Sequence, residues 1–180
     1  MNPIEILSKY YDANSEAYRI LVDHSEDVAA KALQIARMHP EMSLDPVFIE
    51  EAAMLHDIGV FLCNAPDIGC HGEADYICHG YLGADLMRRE GYPLHALVCE
   101  RHTGSGISLE EIQARKLPLP HRDMLPLSPE EQLICFADKF FSKTHPGREK
   151  TVEKIKNGLS QYGEPTLLRF EHWLKLFFGA

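Results

Sequence analysis

Residues 52–60 read "AAMLHDIGV" and set a histidine and an aspartate side by side at the inner end of an apolar run. Ile49, Ala52, Ala53 and His56 share one stripe of a helix, and Asp57 continues the row from Ala53. Burying an unpaired carboxylate there costs several kcal/mol. The two alanines leave room above them. Adjacent helical residues diverge by roughly 100°, so a cation lying between those two directions is within reach of both side chains. The pair therefore implies partners elsewhere in the chain and a metal ion among them.

The same inward placement recurs. His24 lies on a row with Ile20, Val28 and Ala32. His79 shares a face with Leu82, Gly83 and Leu86. His102 ends the row Leu94, Val98, and Asp138 lies between Ile134 and the Phe141 side within "LICFADKFF" at 133–141. Taken singly, an inward histidine is usually a core residue bonded to a carbonyl, and an inward aspartate a cap or ion-pair partner. Six such residues without obvious cationic partners point to one cationic centre instead. A divalent ion removes the carboxylate cost and takes neutral imidazoles as ligands. Four histidines and two carboxylates suit Fe, Mn, Zn or Ni better than Ca, with Mg admissible. A rival is a structural zinc knot of Cys63, Cys70, His71, Cys78 and His79, at wider spacing than usual zinc sites.

The surrounding pattern predicts an all-α chain with helices near 3–11, 14–38, 46–57, 79–90, 93–102, 128–143, 147–161 and 165–177. A break is expected near Asp23. Asp45-Pro46 reads as a cap with proline at the first helical position, and Gly59 and Gly91 as C-terminal caps. Ser128-Pro129-Glu130-Glu131 reads as a capping box. Residues 60–77 and 103–127 read as long loops, the second with a short helix near 108–115. The expected organisation is one domain over 1–180, with a core at about 14–145 and helices at about 147–178 packed on it.

The chain has 180 residues, 45% hydrophobic and 25% charged, with a net charge of −9. That balance argues against a nucleic-acid polymer as partner, which would want a basic face. "MNPIEILSKYYDAN" does not read as a signal peptide, and no stretch reads as a membrane span. Five cysteines without framework spacing read as reduced, hence a cytoplasmic protein. The segment "LLRFEHWLKLFF" at 167–178 is apolar enough to pack on the body or to form a dimer, leaving monomer or homodimer open.

His24, then His56-Asp57, then Asp138 resembles the ordered signature of the HD-domain phosphohydrolase superfamily, and "HDIG" at 56–59 is its common local form. His79, opening "HGYLGADLM", and His102, in "ERHTGSG", resemble the further histidines of two-metal members. Residues 101–138 look like those of small stand-alone HDIG proteins. A more distant similarity is to the dinucleoside-tetraphosphate hydrolase branch. The GYP variant of cyclic-di-GMP phosphodiesterases is absent from its motif position, and "REGYP" at 89–93 reads as a helix end. The resemblance implies an all-α HD-type bundle with the site at its centre. It implies a first metal held by His24, His56, Asp57 and Asp138, and a second held by Asp57, His79 and His102.

Two metals about 3.5–4 Å apart can share a hydroxide that is nucleophilic at neutral pH and can neutralise a phosphoryl transition state. The reaction expected is hydrolysis of a phosphoester or phosphoanhydride in a nucleotide or other small phosphorylated metabolite, with Asp57, His79, His102 and Lys139 nearest the chemistry. Arg101, Lys143, Arg148, His71 and His121 are candidate substrate contacts. Two alternatives stand beside this one: a di-iron oxygenase, and a non-catalytic metal- or nucleotide-binding module.

Overall fold

A computed structural model describes residues 1–179. Its architecture is all-α apart from one two-stranded hairpin. The helices are α1 (Pro3–Leu7), α2 (Glu16–Met38), α3 (Pro46–Leu55), α4 (His79–Arg89), α5 (Pro93–Arg101), α6 (Leu109–Ala114), α7 (Pro129–Asp138), α8 (Val152–Ser160) and α9 (Glu164–Phe178). No helix among the described residues is long and apolar enough to cross a membrane.

Local chemistry explains most starts. Asn2 caps α1 by accepting the Ile4 and Glu5 amides, and Asp45 caps α3 by accepting those of Val47 and Phe48. Gly91, at φ 86°, ends α4 by returning its amide to the Arg88 carbonyl. α2 runs unbroken through Asp23, which is exposed, so its carboxylate stays in water and nothing opposes the helix. At Ser128 only half of the expected box forms. The hydroxyl accepts from Glu131, but the Glu131 carboxylate turns to the Leu127 amide at 3.1 Å and Arg101 at 2.8 Å. The complete box closes α6 instead, between Ser108 and Glu111.

Three expected helices are shorter than their apolar patterns by several residues. α1 stops at Leu7 because Tyr11 is drawn inward: its hydroxyl donates to the Ile58 carbonyl at 2.9 Å and accepts from the Phe61 amide at 3.2 Å. α7 stops at Asp138, and the amides of Lys139, Phe140 and Phe141 bond three residues back. α8 begins only at Val152, where Thr151 caps it. The stretch 60–77 is not one irregular loop. A tight 3₁₀ turn, Ile58–Leu62, leads into strands β1 (Asn64–Ala65) and β2 (Cys70–His71), which pair antiparallel with Asn64 opposite His71.

Phe136 of α7 sits at the centre of the larger core, 5.1–5.3 Å from the rings of Phe140, Phe170 and Phe177. α9 delivers Phe170, Trp173, Leu174 and Phe177 into the same cluster as residues of α2 and α3. Burying each such side chain contributes about 1.5–3 kcal/mol. A second cluster joins α1, α2, α4 and α5. The two clusters flank His24, His56 and Asp57, all at most 2% exposed.

Gly59 is not a helix cap, because the chain is already inside the 3₁₀ turn. Its role is close approach: a Cβ at Gly59 would meet the His79 carbonyl oxygen and the Gly83 amide nitrogen of α4. Gly80 of α4 likewise faces the Cys99 carbonyl of α5. These contacts seat the start of α4 against the "HD" turn.

One polar clip holds the loop behind His102. Arg169 of α9 donates to the Ser105 carbonyl at 2.9 Å, the Gly106 carbonyl at 2.8 Å and the Glu111 carboxylate at 2.9 Å. Glu111→Ala removes both this pair and the α6 box, and is expected to destabilise the protein by roughly 1–3 kcal/mol, read as a lower midpoint in urea. The Glu111 carboxyl is held below its ordinary range: burial opposes this, but Arg169 and the Ser108 amide outweigh it. Its contribution is therefore fully present above the ordinary carboxylate value and fades as pH falls through the depressed one. The difference between wild type and Glu111→Ala should shrink in acid.

Candidate metal centre

Helix ends build the site. His56 is the C-cap of α3, His102 the C-cap of α5, Asp138 the last residue of α7 and His79 the first of α4. His24 projects from the middle of α2. The chain leaves the helix between His56 (φ −55°) and Asp57 (φ −103°, ψ 10°), and this lets adjacent side chains face one centre. Their Nε2 and Oδ2 atoms are 3.0 Å apart.

Three imidazoles are oriented by one local device. The Nδ1–H of His56, His79 and His102 each donates to the carbonyl three residues back, on Ala53 (2.6 Å), Tyr76 (2.6 Å) and Cys99 (2.8 Å). That leaves each Nε2 as the lone-pair atom, pointing inward. The row ending in His102 begins at Val98, since Leu94 is 62% exposed.

Asp57 divides two groups between its oxygens. Toward Oδ2 lie Nε2 of His56 at 3.0 Å and of His24 at 3.3 Å; His24 is also 3.0 Å from Asp138 Oδ1. Toward Oδ1 lie Nε2 of His79 at 3.2 Å and of His102 at 3.3 Å. The ligand atoms of His24, His56, Asp57 and Asp138 all lie within 4.8 Å of one another, as do those of Asp57, His79 and His102. Donor atoms bound at about 2.1 Å and at right angles would sit about 3.0 Å apart, which matches these separations.

The fit to divalent ions also rests on unsatisfied atoms. Among the described residues, Nε2 of His56 and Oδ1 of Asp57 are buried without a well-formed hydrogen bond. The Nε2 atoms of His79 and His102 face each other at 3.0 Å, although each ring's proton is engaged at Nδ1. Two lone pairs in that position repel unless a proton or a cation lies against them.

Both carboxylates do have cationic neighbours, contrary to the reading of the sequence. Lys143 Nζ lies 2.5 Å from Asp57 Oδ2, and Lys139 Nζ lies 2.7 Å from Asp138 Oδ2. Lys139 also donates to the His102 carbonyl at 3.2 Å. The lysines offset carboxylate charge, but they give the four converging imidazoles no partner. Burial alone would raise the Asp57 carboxyl, yet His56 and Lys143 hold it well below the usual range; Lys139, His24 and His56 do the same for Asp138. His56 is pulled down by burial but raised to about 9 by Asp57 and Asp138, while burial takes His102 down to about 4.

Two adjoining cavities open onto this centre. One, of about 710 Å³, is reached past His24 and Asp138; the other, of about 570 Å³, past His79 and His102. Lys139, Lys143, Lys150 and Tyr76 line both. In a chain of net charge −9, four lysines (these three with Lys154) gather on the first cavity against Asp67 and Asp138.

The other candidate contacts are not part of this arrangement. Arg101 is spent on Glu131 at 2.8 Å, because that pair ties α5 to α7. Arg148 is exposed in the turn before α8, His71 is exposed on β2, and His121 is exposed in the proline-rich loop; none lines either cavity. All five cysteines are free and buried, and burial raises their thiols, that of Cys135 to about 12. Among the described residues no cysteine joins a metal-capable group. Cys78 instead donates to the Pro118 carbonyl at 3.3 Å. Tyr76 and Lys150 escaped the reading of the sequence. Tyr76 packs 4.7 Å from the His79 ring, three residues before it, which was the one local signal.

The family model described as HD domain matches residues 21–142. An uncharacterised protein of Methanocaldococcus jannaschii is 33% identical over 156 residues, covering 81% of this chain and 84% of the relative. A protein of Thermoplasma volcanium named tRNA (cytidine(56)-2′-O)-methyltransferase is 31% identical over 140 residues, 77% of this chain. A protein of the same name from Picrophilus torridus is 32% identical over 124 residues. The chain spans only 35% and 32% of the length of those two methyltransferases. No solved structure matches.

Proposed function

This chain belongs to the HD-domain family, and from that premise we propose that it is a metal-dependent phosphohydrolase acting on a small phosphorylated substrate. HD domains are in general metal-dependent hydrolases. The observation that carries the reading is Asp57, which offers one oxygen to each of two histidine groups beneath a lysine-lined cavity. His24, His56, Asp57 and Asp138 would hold one divalent ion, and Asp57, His79 and His102 a second. Bound there, such ions would supply Lewis acidity to a phosphoryl group and a water nucleophilic at neutral pH.

The chain's own residues do the rest. The Nδ1 bonds of His56, His79 and His102 keep the imidazoles in one tautomer and one orientation. Lys139 and Lys143 stand beside the carboxylates, where a phosphate entering the cavity would meet their ammonium groups. Lys143 is fully charged at neutral pH: burial opposes this, but Asp57 outweighs it and raises the group above its ordinary value. Positive charge preplaced against developing phosphoryl charge is worth more in such a buried setting than in water. The first cavity, at about 710 Å³, has the size of a small-ligand site, and this favours a small substrate over a polymer.

The test joins metal content to turnover. Protein purified without added metal should carry two transition-metal ions per chain by elemental analysis, and His102→Ala should carry one. The metal-loaded protein should hydrolyse members of a panel of nucleotides, dinucleotides and sugar phosphates. Inactivity across the panel, together with oxygen uptake by the iron-loaded protein, would overturn the proposal in favour of an oxygenase.

A further inference from the structure

Helix α8 lies beyond the 21–142 segment shared with the family, yet one of its faces lines the 710 Å³ cavity. Ile155 and Leu159 turn into the core. Lys154, Gly158 and Tyr162 are spaced by four and form the neighbouring row, which lines the cavity together with the inner edge of Ile155 and Leu159; Tyr162 stands just past the helix end. Along this row the cavity wall runs from an ammonium group, over a position with no side chain, to an aromatic ring.

Gly158 is the informative member. Its φ is not positive, so its backbone does not require glycine, and a Cβ there would meet nothing within 4 Å. Glycine inside a helix costs about 1 kcal/mol relative to alanine. What glycine provides here is clearance over the helix surface. At the end of that clearance stands Tyr162, 54% exposed and on the rim of both cavities. The Arg115 guanidinium lies over its ring, 5.6 Å from the centroid. The phosphate-binding end, at Lys139 and Lys143 beside Asp138, lies in the same cavity. Its volume falls within the range of about 300–1,000 Å³ typical of small-ligand sites.

We propose that the α8 row Lys154–Gly158–Tyr162 is the specificity wall of this site. It selects phosphate monoesters that carry a flat heteroaromatic ring, the nucleoside monophosphate class. The phosphate lies at the Lys139–Lys143 end, the ring passes over Gly158, and Tyr162 stacks on it with Arg115 as its brace. The inference rests on the phosphohydrolase reading and adds to it the part of the substrate that the metal-binding residues do not touch. Base–aromatic stacking of this kind is worth roughly tenfold or more in affinity.

The test measures binding to the metal-loaded protein by calorimetry. The probes are inorganic phosphate and the non-hydrolysable phosphonate analogues of AMP and of ribose 5-phosphate. The AMP analogue should bind at least about tenfold more tightly than the ribose analogue. Tyr162→Ala should abolish that gap while leaving inorganic phosphate within about twofold of wild type, and Tyr162→Phe should preserve it. Gly158→Leu should weaken the AMP analogue by about tenfold or more and spare inorganic phosphate. Equal binding of the two analogues by wild type, or a gap that survives in Tyr162→Ala, overturns the inference and leaves the hydrolase reading intact. Failure of all three probes to bind overturns both.

Discussion

Asp57→Ala is expected to lower phosphoester hydrolysis at least a thousandfold, a loss of about 4 kcal/mol of transition-state stabilisation, and to reduce metal content from two ions per chain toward none. The reason is geometric. Oδ2 faces His24 and His56, while Oδ1 faces His79 and His102. No other side chain among the described residues contributes to both groups. An asparagine keeps the shape but offers only one acceptor oxygen, so Asp57→Asn should fail at one group while keeping part of the other. Melting temperature supplies a readout independent of turnover. A ligand present at 100 times its dissociation constant stabilises the native state by about 2.7 kcal/mol. For a chain of this size that is a rise of roughly 5–10 °C. Wild type should show the rise when metal is added and Asp57→Ala should not. If the variant still melts higher with metal, Asp57 does not join the two groups.

Gly59→Val is expected to be the most destabilising single substitution near the site, by at least about 3 kcal/mol. That is a fall of roughly 6–12 °C in melting temperature. The clash is with backbone, the His79 carbonyl and the Gly83 amide, so no rotamer change relieves it. Gly83 faces back across the same contact, where its own Cβ would stand 3.1 Å from the Gly59 amide nitrogen. Relief requires α4 to move away from the Ile58–Leu62 turn, and His79 is the first residue of α4. Gly59→Val should therefore lose the second ion before the first. A variant that melts like wild type would show that the turn and α4 can separate freely. Gly91→Ala is the contrast. It strains only a positive φ at a helix end, with nothing within 4 Å of the new Cβ. Its cost should be about 1–2 kcal/mol, with metal content unchanged.

What could be read from the chain in advance follows the range of the physics involved. Asp45 before Pro46, Ser128 before Pro129 and Gly91 after Arg89 act over one helical turn, so the helix starts and one stop lie in the residues themselves. The resemblance carried by His24, His56-Asp57, His79, His102 and Asp138 named six side chains, and the fold gathers all six. The misreadings involve long-range partners. Lys139 and Lys143 look like the continuation of α7, but ion pairs to Asp138 and Asp57 replace it. Arg101 looks free, and Glu131, thirty residues away, takes it. Leu94 continues an apolar row into solvent because α5 is covered only from Val98 onward along that row.

The residue pattern by itself determined an all-α chain and the identity of the side chains that meet, because helical periodicity and capping are short-range and an inward ionisable residue is costly enough to be conspicuous. Tertiary structure alone decided how Asp57 divides its oxygens, which lysines reach the carboxylates and which face of α8 overlooks the cavity. Those outcomes depend on the packing of segments up to about a hundred residues apart, and the free energy of each local pattern would have been much the same had the helices met at another angle.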